Sequence, residues 1–390
     1  MSKSNYVTRV HDSVLDIDAP AWNELLAAQA HPTPFMRHEF LAALERSGSA
    51  VATRGWQPRF ATLWTQGGTL QAACPLYLKT HSRGEYVFDW SWADAHHRHG
   101  IAYYPKAVVA VPFTPVPGSR LLAVDAPARM ALVQALLALC RDEEASSLHL
   151  LFGDAADMAA CKDAGLMQRH TVQFHWQNRT PAPYSDFDDF LAALSQDKRK
   201  KIRQERRKVR EAGVTLRHAR GAEITSADWD FFYRCYERTY LEHGNPPYLS
   251  RAFFEDMART QAENWLLFVA ERQGRPIASS LIAISSEGKD KASWGRYWGA
   301  LERVDCLHFE ACYYSPLQWC IKQGYNRFEG GAQGEHKLAR ALLPVRADSA
   351  HWLAHPGFAQ AVEDFLGREG RGVAGYLDEL EQHTPFKHGN

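Results

Sequence analysis

The sequence predicts an α+β fold in two successive parts, and three observations predict it. A length of 390 residues suggests two or three domains at about 150 residues each. The strand-like segments mostly follow one another instead of alternating strictly with helices. Near the middle, Thr180-Pro-Ala-Pro-Tyr-Ser185 has the composition of a linker. The expected division is residues 1–180 and 186–390, the second part opened by a basic helix over 187–212 and closed by an acidic helical region.

In the first part, apolar residues at helical spacing mark Trp22 to Ala30 and Phe35 to Leu44, the second introduced by breaks at Pro32 and Pro34. Strands are expected at Arg59 to Thr65 and, after the Gly67-Gly68 turn, at Leu70 to Leu78. Residues 81–120 are dense in His, Tyr, Trp and Pro and fit neither period, apart from a helical stretch over Ala93 to Tyr103. So long an irregular segment inside a folded part points to function. A helix over 126–144 and strands at Ser147 to Phe152 and near Thr171 to Trp176 complete this part.

The second part reads as the 187–212 helix stopped by Gly213, a strand at Val214 to His218, and helices at Asp228 to Glu242 and Arg251 to Gln261. Strands then follow at Trp265 to Arg272, Pro276 to Ser285 and Ala292 to Gly299. A helical segment fills 306–323, where Pro316 either kinks one long helix or lies in the first turn of a new one capped by Ser315. After a strand at Arg327 to Glu329 comes a glycine-rich loop, and the region from Gly357 is helical and acidic. The two halves share a rough order of helix, helix, strand, strand, helix, strand.

A composition of 45% hydrophobic, 12% aromatic and 23% charged residues is that of a folded chain. With 45 basic and 45 acidic side chains the net charge is zero, which excludes a protein that coats polyanions with its whole surface. The first ten residues hold no apolar signal segment, and the longest nearly apolar run, Met130 to Cys140, is interrupted by Gln134 and bracketed by Arg129 and Arg141. Seven cysteines form no C-x-x-C pair, so reduced thiols and a cytoplasmic location are expected.

The zero is a cancellation. From Lys198 to Arg210 nine bases stand with one acid, Glu205, while the rest of the chain holds 36 bases and 44 acids. Leu191, Ile202 and Val209 fall within about 20° of one another on a helical wheel, so one narrow stripe docks. The other faces carry Lys198, Arg199, Lys201, Arg203, Arg206 and Arg207, either solvated or in contact with phosphates. No aromatic residue is interleaved to stack bases.

A second constellation, Phe328 to Arg340, runs from a strand end into three glycines and gathers Gln333, Glu335, His336, Lys337 and Arg340. The histidine suits a proton relay, and the two cations suit an anion. A third comprises Arg296 and Tyr297 in G-R-Y-W-G-A and His308, Glu310, Tyr313 and Tyr314 in L-H-F-E-A-C-Y-Y. No metal site is expected from His96, His97 and His99, because adjacent histidines point in different directions on a helix and no H-E-x-x-H occurs. Walker and G-x-S-x-G spacings are also missing.

The blocks F-D-W-S-W-A-D-A (88–95), Y-Y-P-K-A-V-V-A-V-P-F-T-P-V-P-G-S-R-L-L (103–122), G-R-Y-W-G-A (295–300), L-H-F-E-A-C-Y-Y (307–314) and G-A-Q-G-E-H-K-L-A-R (331–340) resemble a bacterial family of peptidoglycan biosynthesis or recognition proteins. The resemblance runs from about residue 11 to the P-F-K at 385–387. That family is grouped with the Fem-type members of the GNAT acyltransferase superfamily, which implies two tandem GNAT-like domains. It also implies transfer of an acyl or aminoacyl group to a small or lipid-linked amine, with acyl-CoA or aminoacyl-tRNA as donor. An ordinary GNAT enzyme cradles the acyl-CoA pyrophosphate in a glycine-rich loop, whereas the corresponding residues 300–309 contain no glycine. On this reading Glu310 or His336 is the base and Tyr313 or Tyr314 the acid, with Arg296, Tyr297, His308, Gln333, Glu335, Lys337 and Arg340 binding substrate. Trp92, Asp94, Tyr103, Tyr104 and Lys106 are expected to line a substrate cleft, and the basic helix to contact tRNA phosphates. The alternative is a non-catalytic module that recognises a cell-wall precursor or tRNA.

Overall fold

The computed structural model describes residues 6–285, 291–331 and 334–387. The chain forms two compact units, each assembled from separate stretches: Met1–Thr171 with Arg346–Ala374, and Val172–Val345 with Gly375–Asn390.

In the first unit a small antiparallel sheet orders its strands Tyr6–His11, Phe60–Thr65, Leu70–Cys74 and Leu122–Ala123. A second sheet runs Trp56–Pro58, Leu76–Lys79, Lys106–Val109 and Ser147–Gly153, and then the part of strand Leu343–Leu353 from residue 346 onward. Its one parallel step, between Lys106–Val109 and Ser147–Gly153, needs a long crossover, and helix Ala126–Asp142 supplies it. That helix buries Leu132, Val133, Leu136 and Cys140 against Leu76, Val109, Leu148 and Leu150.

Three expectations for this unit change. The strand expected over 70–78 is two strands, because Pro75 cannot donate to a ladder and the chain passes there from one sheet to the other. The helix expected over 93–103 spans Trp90–Arg98, where Gly100 at φ 69° lets Ile101 N–H bond back to the His96 carbonyl. A helix at Ala155–Asp163 was not expected; Asp154 caps it by accepting from the N–H groups of Ala156 and Asp157.

The second unit is built on the antiparallel run Val214–Arg220, Trp265–Arg272, Arg275–Ile284 and Ala292–Ala300. Arg327–Glu329 adds in parallel to the last of these, and His175 to Gln177 pair with it on the other side. Helix Ser226–Glu242 packs so closely on Ala292–Ala300 that a Cβ at Gly299 would stand 2.0 Å from the Cys235 carbonyl oxygen.

The single helix expected over 187–212 is two, Phe187–Ala193 and Gln196–Glu211. Leu194 is extended and bridges Phe386, and the Ser195 N–H bonds to the Pro385 carbonyl, so the C-terminal segment takes the backbone groups that a continuous helix would use. The segment Leu307–Phe309, Glu310–Tyr314 and Ser315–Lys322 is one helical path with a π turn at its centre. The wide turn accommodates Pro316, which lacks the N–H that would close an ordinary turn on Cys312. Ser315 is not a cap: its hydroxyl donates to Glu310 Oε1 at 2.8 Å. Among the described residues no helix is long and apolar enough to cross a membrane.

Candidate active site

In the second unit, strand Ala292–Ala300 pairs with Arg327–Glu329 over three residues only, and the two diverge beyond Trp294 and Glu329. A bulge helps to turn the longer strand: Leu281 faces Tyr297 and Ile282 faces Gly295, which leaves Arg296 as the extra residue. The divergence opens a cavity of about 130 Å³ lined by Arg296, Tyr297, His308, Cys312, Tyr313 and Gly330, among others. The π turn carries Cys312 and Tyr313 to its wall, and the glycine loop brings back His336.

His336 Nε2 lies 3.3 Å from the Tyr313 hydroxyl, and the His308 ring contacts both side chains. Burial pushes the His308 pKa down to about 4, and the positive charges of His336, Arg340 and Lys337 add to the shift. His336 is lowered as well, first by burial and then by Arg340 and Lys337, with Glu205 opposing. Its imidazole is therefore neutral at neutral pH and able to accept a proton. Burial raises Tyr313, which keeps its hydroxyl protonated, and lowers Lys337 to about 8, whose Nζ donates to the Gly331 carbonyl at 3.2 Å.

Glu310 stands apart from this pair. Its two carboxylate oxygens take the Nε and Nη2 donors of Arg206 at 3.0 and 2.9 Å, and Oε1 also takes the Ser315 hydroxyl. Arg340 is turned inward rather than towards the opening: Nη2 reaches both oxygens of Glu205 at 3.0 and 2.8 Å, and Nη1 donates to the His336 carbonyl at 2.6 Å. Tyr314 donates its hydroxyl to the same Glu205. Arg296 lies over the ring of its neighbour Tyr297, which packs on Tyr236 and Phe254. Gln333 and the side chain of Glu335 lie outside the described residues.

On helix Gln196–Glu211 the stripe Ile202, Glu205 and Val209 is buried. Lys198, Arg199, Lys200, Lys201 and Arg210 make no ion pair among the described residues. Arg203 and Arg207 have exposed partners, Asp188 at 3.7 Å and Glu211 at 3.6 Å, whereas Arg206 faces in. A groove of about 830 Å³ runs beside Arg199, Arg203, Arg207 and Arg210. Sequence reasoning passed over Glu205, although one acid three and four residues from Ile202 and Val209, on the docking stripe of a basic helix, is itself a signal.

The first unit holds a different arrangement. Lys106 is fully buried and donates to Ser82 at 2.8 Å, to Glu85 at 2.7 Å and to Asp89. Tyr103 bonds Asp89 at 2.6 Å and lies 3.3 Å from His149 Nε2. Trp92 is buried with its ring against His351 and His149, and Tyr104 bonds Ser82 at 2.9 Å. Lys79, Glu85, Asp89, His149 and His351 had not been singled out. Burial and Lys106 lower Lys79 to about 7, and burial raises Glu85 to about 7 against the pull of Lys106. Asp94 is exposed and pairs with Arg98 at 3.2 Å, away from this cluster. His96 stacks on Phe358 while His97 and His99 are exposed, and no cluster of metal-ligating side chains occurs among the described residues.

Solved structures of similar fold cover nearly the whole chain. The C-terminal domain of a putative lysylphosphatidylglycerol synthetase from Agrobacterium fabrum matches at 12% identity and a TM-score of 0.54, over 90% of this chain and 96% of that one. FemX matches at 10% identity and a TM-score of 0.54, over 89% and 98%. L-PGS from Bacillus licheniformis matches at 10% identity and a TM-score of 0.52, over 90% and 97%. None of the curated protein sequences matches this chain. The fold is α+β with two tandem GNAT-like domains of Fem type. Residues 13–388 match the FemAB-like description, peptidoglycan biosynthesis/recognition, and the chain belongs to that family.

Proposed function

We propose that this chain is a cytoplasmic N-acyltransferase that moves an acyl or aminoacyl group onto an amine in peptidoglycan precursor metabolism. The observation that carries the reading is the opening between Ala292–Ala300 and Arg327–Glu329, with Tyr313 in its wall and the neutral imidazole of His336 against the Tyr313 hydroxyl. His336 takes a proton from the acceptor's ammonium, which frees the nitrogen lone pair that then attacks the acyl carbon. Tyr313 gives a proton to the leaving group as the acyl bond to sulfur or oxygen breaks. Arg296, Tyr297 and Lys337 hold polar parts of donor and acceptor. With both carboxylate oxygens committed to Arg206 and Ser315, Glu310 is a weaker candidate for the base than His336.

Aminoacyl-tRNA is the favoured donor. The turn before Leu307 passes through Cys306 at φ 63°, without the glycines of a pyrophosphate loop, while five cations on the basic helix have no ion pair among the described residues. The segment near residues 180–186 is proposed to follow the first crossing of the chain from one GNAT-like domain to the other, with residues 346–374 returning to the first. Incubating the chain with aminoacyl-tRNA or acetyl-CoA and a panel of amines, followed by mass spectrometry, tests the reading. Acyl transfer that disappears in His336→Ala is expected. No transfer from either donor would sink it, and tRNA binding without transfer would favour the binding module.

A further inference from the structure

Glu205 is the acid inside the nine-base run, and it faces in, not out. A carboxylate placed there to neutralise its own helix would pair with bases three or four residues away. Its partners are instead far along the chain: Arg340, at 3.0 and 2.8 Å, and the Tyr314 hydroxyl. Arg340 is itself buried, and its guanidinium carbon lies over the Phe309 ring, 3.4 Å from the ring centre, so the group is held by packing as well as by charge. Its remaining Nη group bonds the carbonyl of His336 at 2.6 Å. With both Nη groups engaged, Arg340 has little left to offer a substrate anion.

His336 follows two residues after Gly334, at φ 99°, and lies at the start of a short 3₁₀ segment. Its ring is on the exposed side, and the Tyr313 contact at 3.3 Å depends on where its backbone is held. We infer that Glu205 is a positioning residue for the candidate site: through Arg340 it fixes the His336 carbonyl and so keeps the imidazole against the Tyr313 hydroxyl. The buried stripe of the basic helix then does more than dock it, since one helix face bears on the group that handles the proton. The inference rests on the transferase reading for its catalytic meaning but not for its geometry.

The test uses the full chain with isotope-labelled histidine and tyrosine, read by NMR, alongside the transfer assay. In Glu205→Gln the His336 to Tyr313 ring contact should weaken or vanish and the His336 titration midpoint should move. The transfer rate should fall at least tenfold in kcat, with KM changed less than threefold. Arg340→Lys serves where Glu205→Gln does not fold: one ammonium cannot span Glu205 and the His336 carbonyl, so the same displacement is expected. Unchanged His336 signals and contact in either folded variant would overturn the inference. A displaced His336 in a chain whose wild type transfers nothing would leave the positioning intact and reject the transferase reading, so the two failures are distinguishable.

Discussion

Inside the first unit the Nδ1 atoms of His149 and His351 stand 2.7 Å apart, both rings buried. A bond between two imidazole nitrogens needs a proton on one and a lone pair on the other, so the accepting ring cannot be doubly protonated without breaking it, and the two rings cannot both be charged while it stands. Burial, with Lys106 adding, pushes His149 down to about 3, and burial with His149 and Arg169 pushes His351 well below its ordinary value. Asp89 faces the pair and is lowered too, despite its burial, by Lys106 and His149.

For a base whose folded pKa is depressed, the unfolded chain binds more protons over the window between the two values. The histidine pair therefore contributes its full stability above pH 6.5 and loses it progressively as pH falls below that, at up to about 1.4 kcal/mol per unit for each ring, His149 down to about 3. Urea unfolding at pH 7.5, 6, 5 and 4 should show a steep decline that His149→Asn flattens. A stability unchanged between pH 6.5 and 4 would contradict this account.

Lys106→Met should destabilise the chain by about 3–5 kcal/mol, because two carboxylates lose the cation that holds them in a buried setting. Glu85→Gln should cost less, since Glu85 already sits near neutrality at about 7. Equal midpoints for Lys106→Met and wild type in urea would show that the carboxylates are satisfied by other means.

Gly299→Ala adds one methyl group where the Cys235 carbonyl oxygen stands 2.0 Å away. Backbone cannot rotate aside as a side chain can, so a loss of about 3 kcal/mol is expected, read by thermal or chemical denaturation. Gly367→Ala, with nothing within 4 Å, should leave stability unchanged or raised.

Neutralising Lys198, Arg199, Lys200 and Lys201 together to Gln should leave the fold intact, since none of them is paired among the described residues. The slope of log affinity for tRNA against log salt should fall by about 3, at ~0.7–0.9 per phosphate contact. A flat dependence already in the wild type would remove tRNA as the partner of this helix.

His336→Ala is expected to lower kcat/KM about 10²-fold or more with little change in melting temperature. Glu310→Ala should do the reverse, destabilising by about 3 kcal/mol because Arg206 loses its buried partner. Kinetic and melting measurements on both variants check the contrast. A large rate loss in Glu310→Ala without destabilisation would restore Glu310 as the base.

Much of the second unit was legible because its strands carry local signals. Trp265–Arg272 and Arg327–Glu329 appear at their expected bounds, since apolar runs there are closed by turn residues or a glycine loop. The break at Leu194 was not legible, because its cause is the segment around Phe386, nearly 200 residues later. The same holds for the site. Types and spacing drew attention to His308, Tyr313 and His336, which do come together. They could not separate Glu310 and Arg340 from them, because what removes those two from the opening is the helix bearing Glu205 and Arg206. Lys106 was flagged in an irregular segment, yet the acids that hold it lie 17 and 21 residues earlier, with no periodic relation to it.

The order in which the stretches of chain are used has a practical result for anyone who dissects the protein. A piece ending near residue 180 would carry Ser147–Gly153 without the strand Asp348 to Leu353 that covers its edge, leaving an apolar, unpaired border of the kind that aggregates. A piece beginning there would carry residues 346–374 with nothing to fold against. Neither half is a gene-sized module, so insertions and deletions between them are constrained as they would not be in two domains strung end to end.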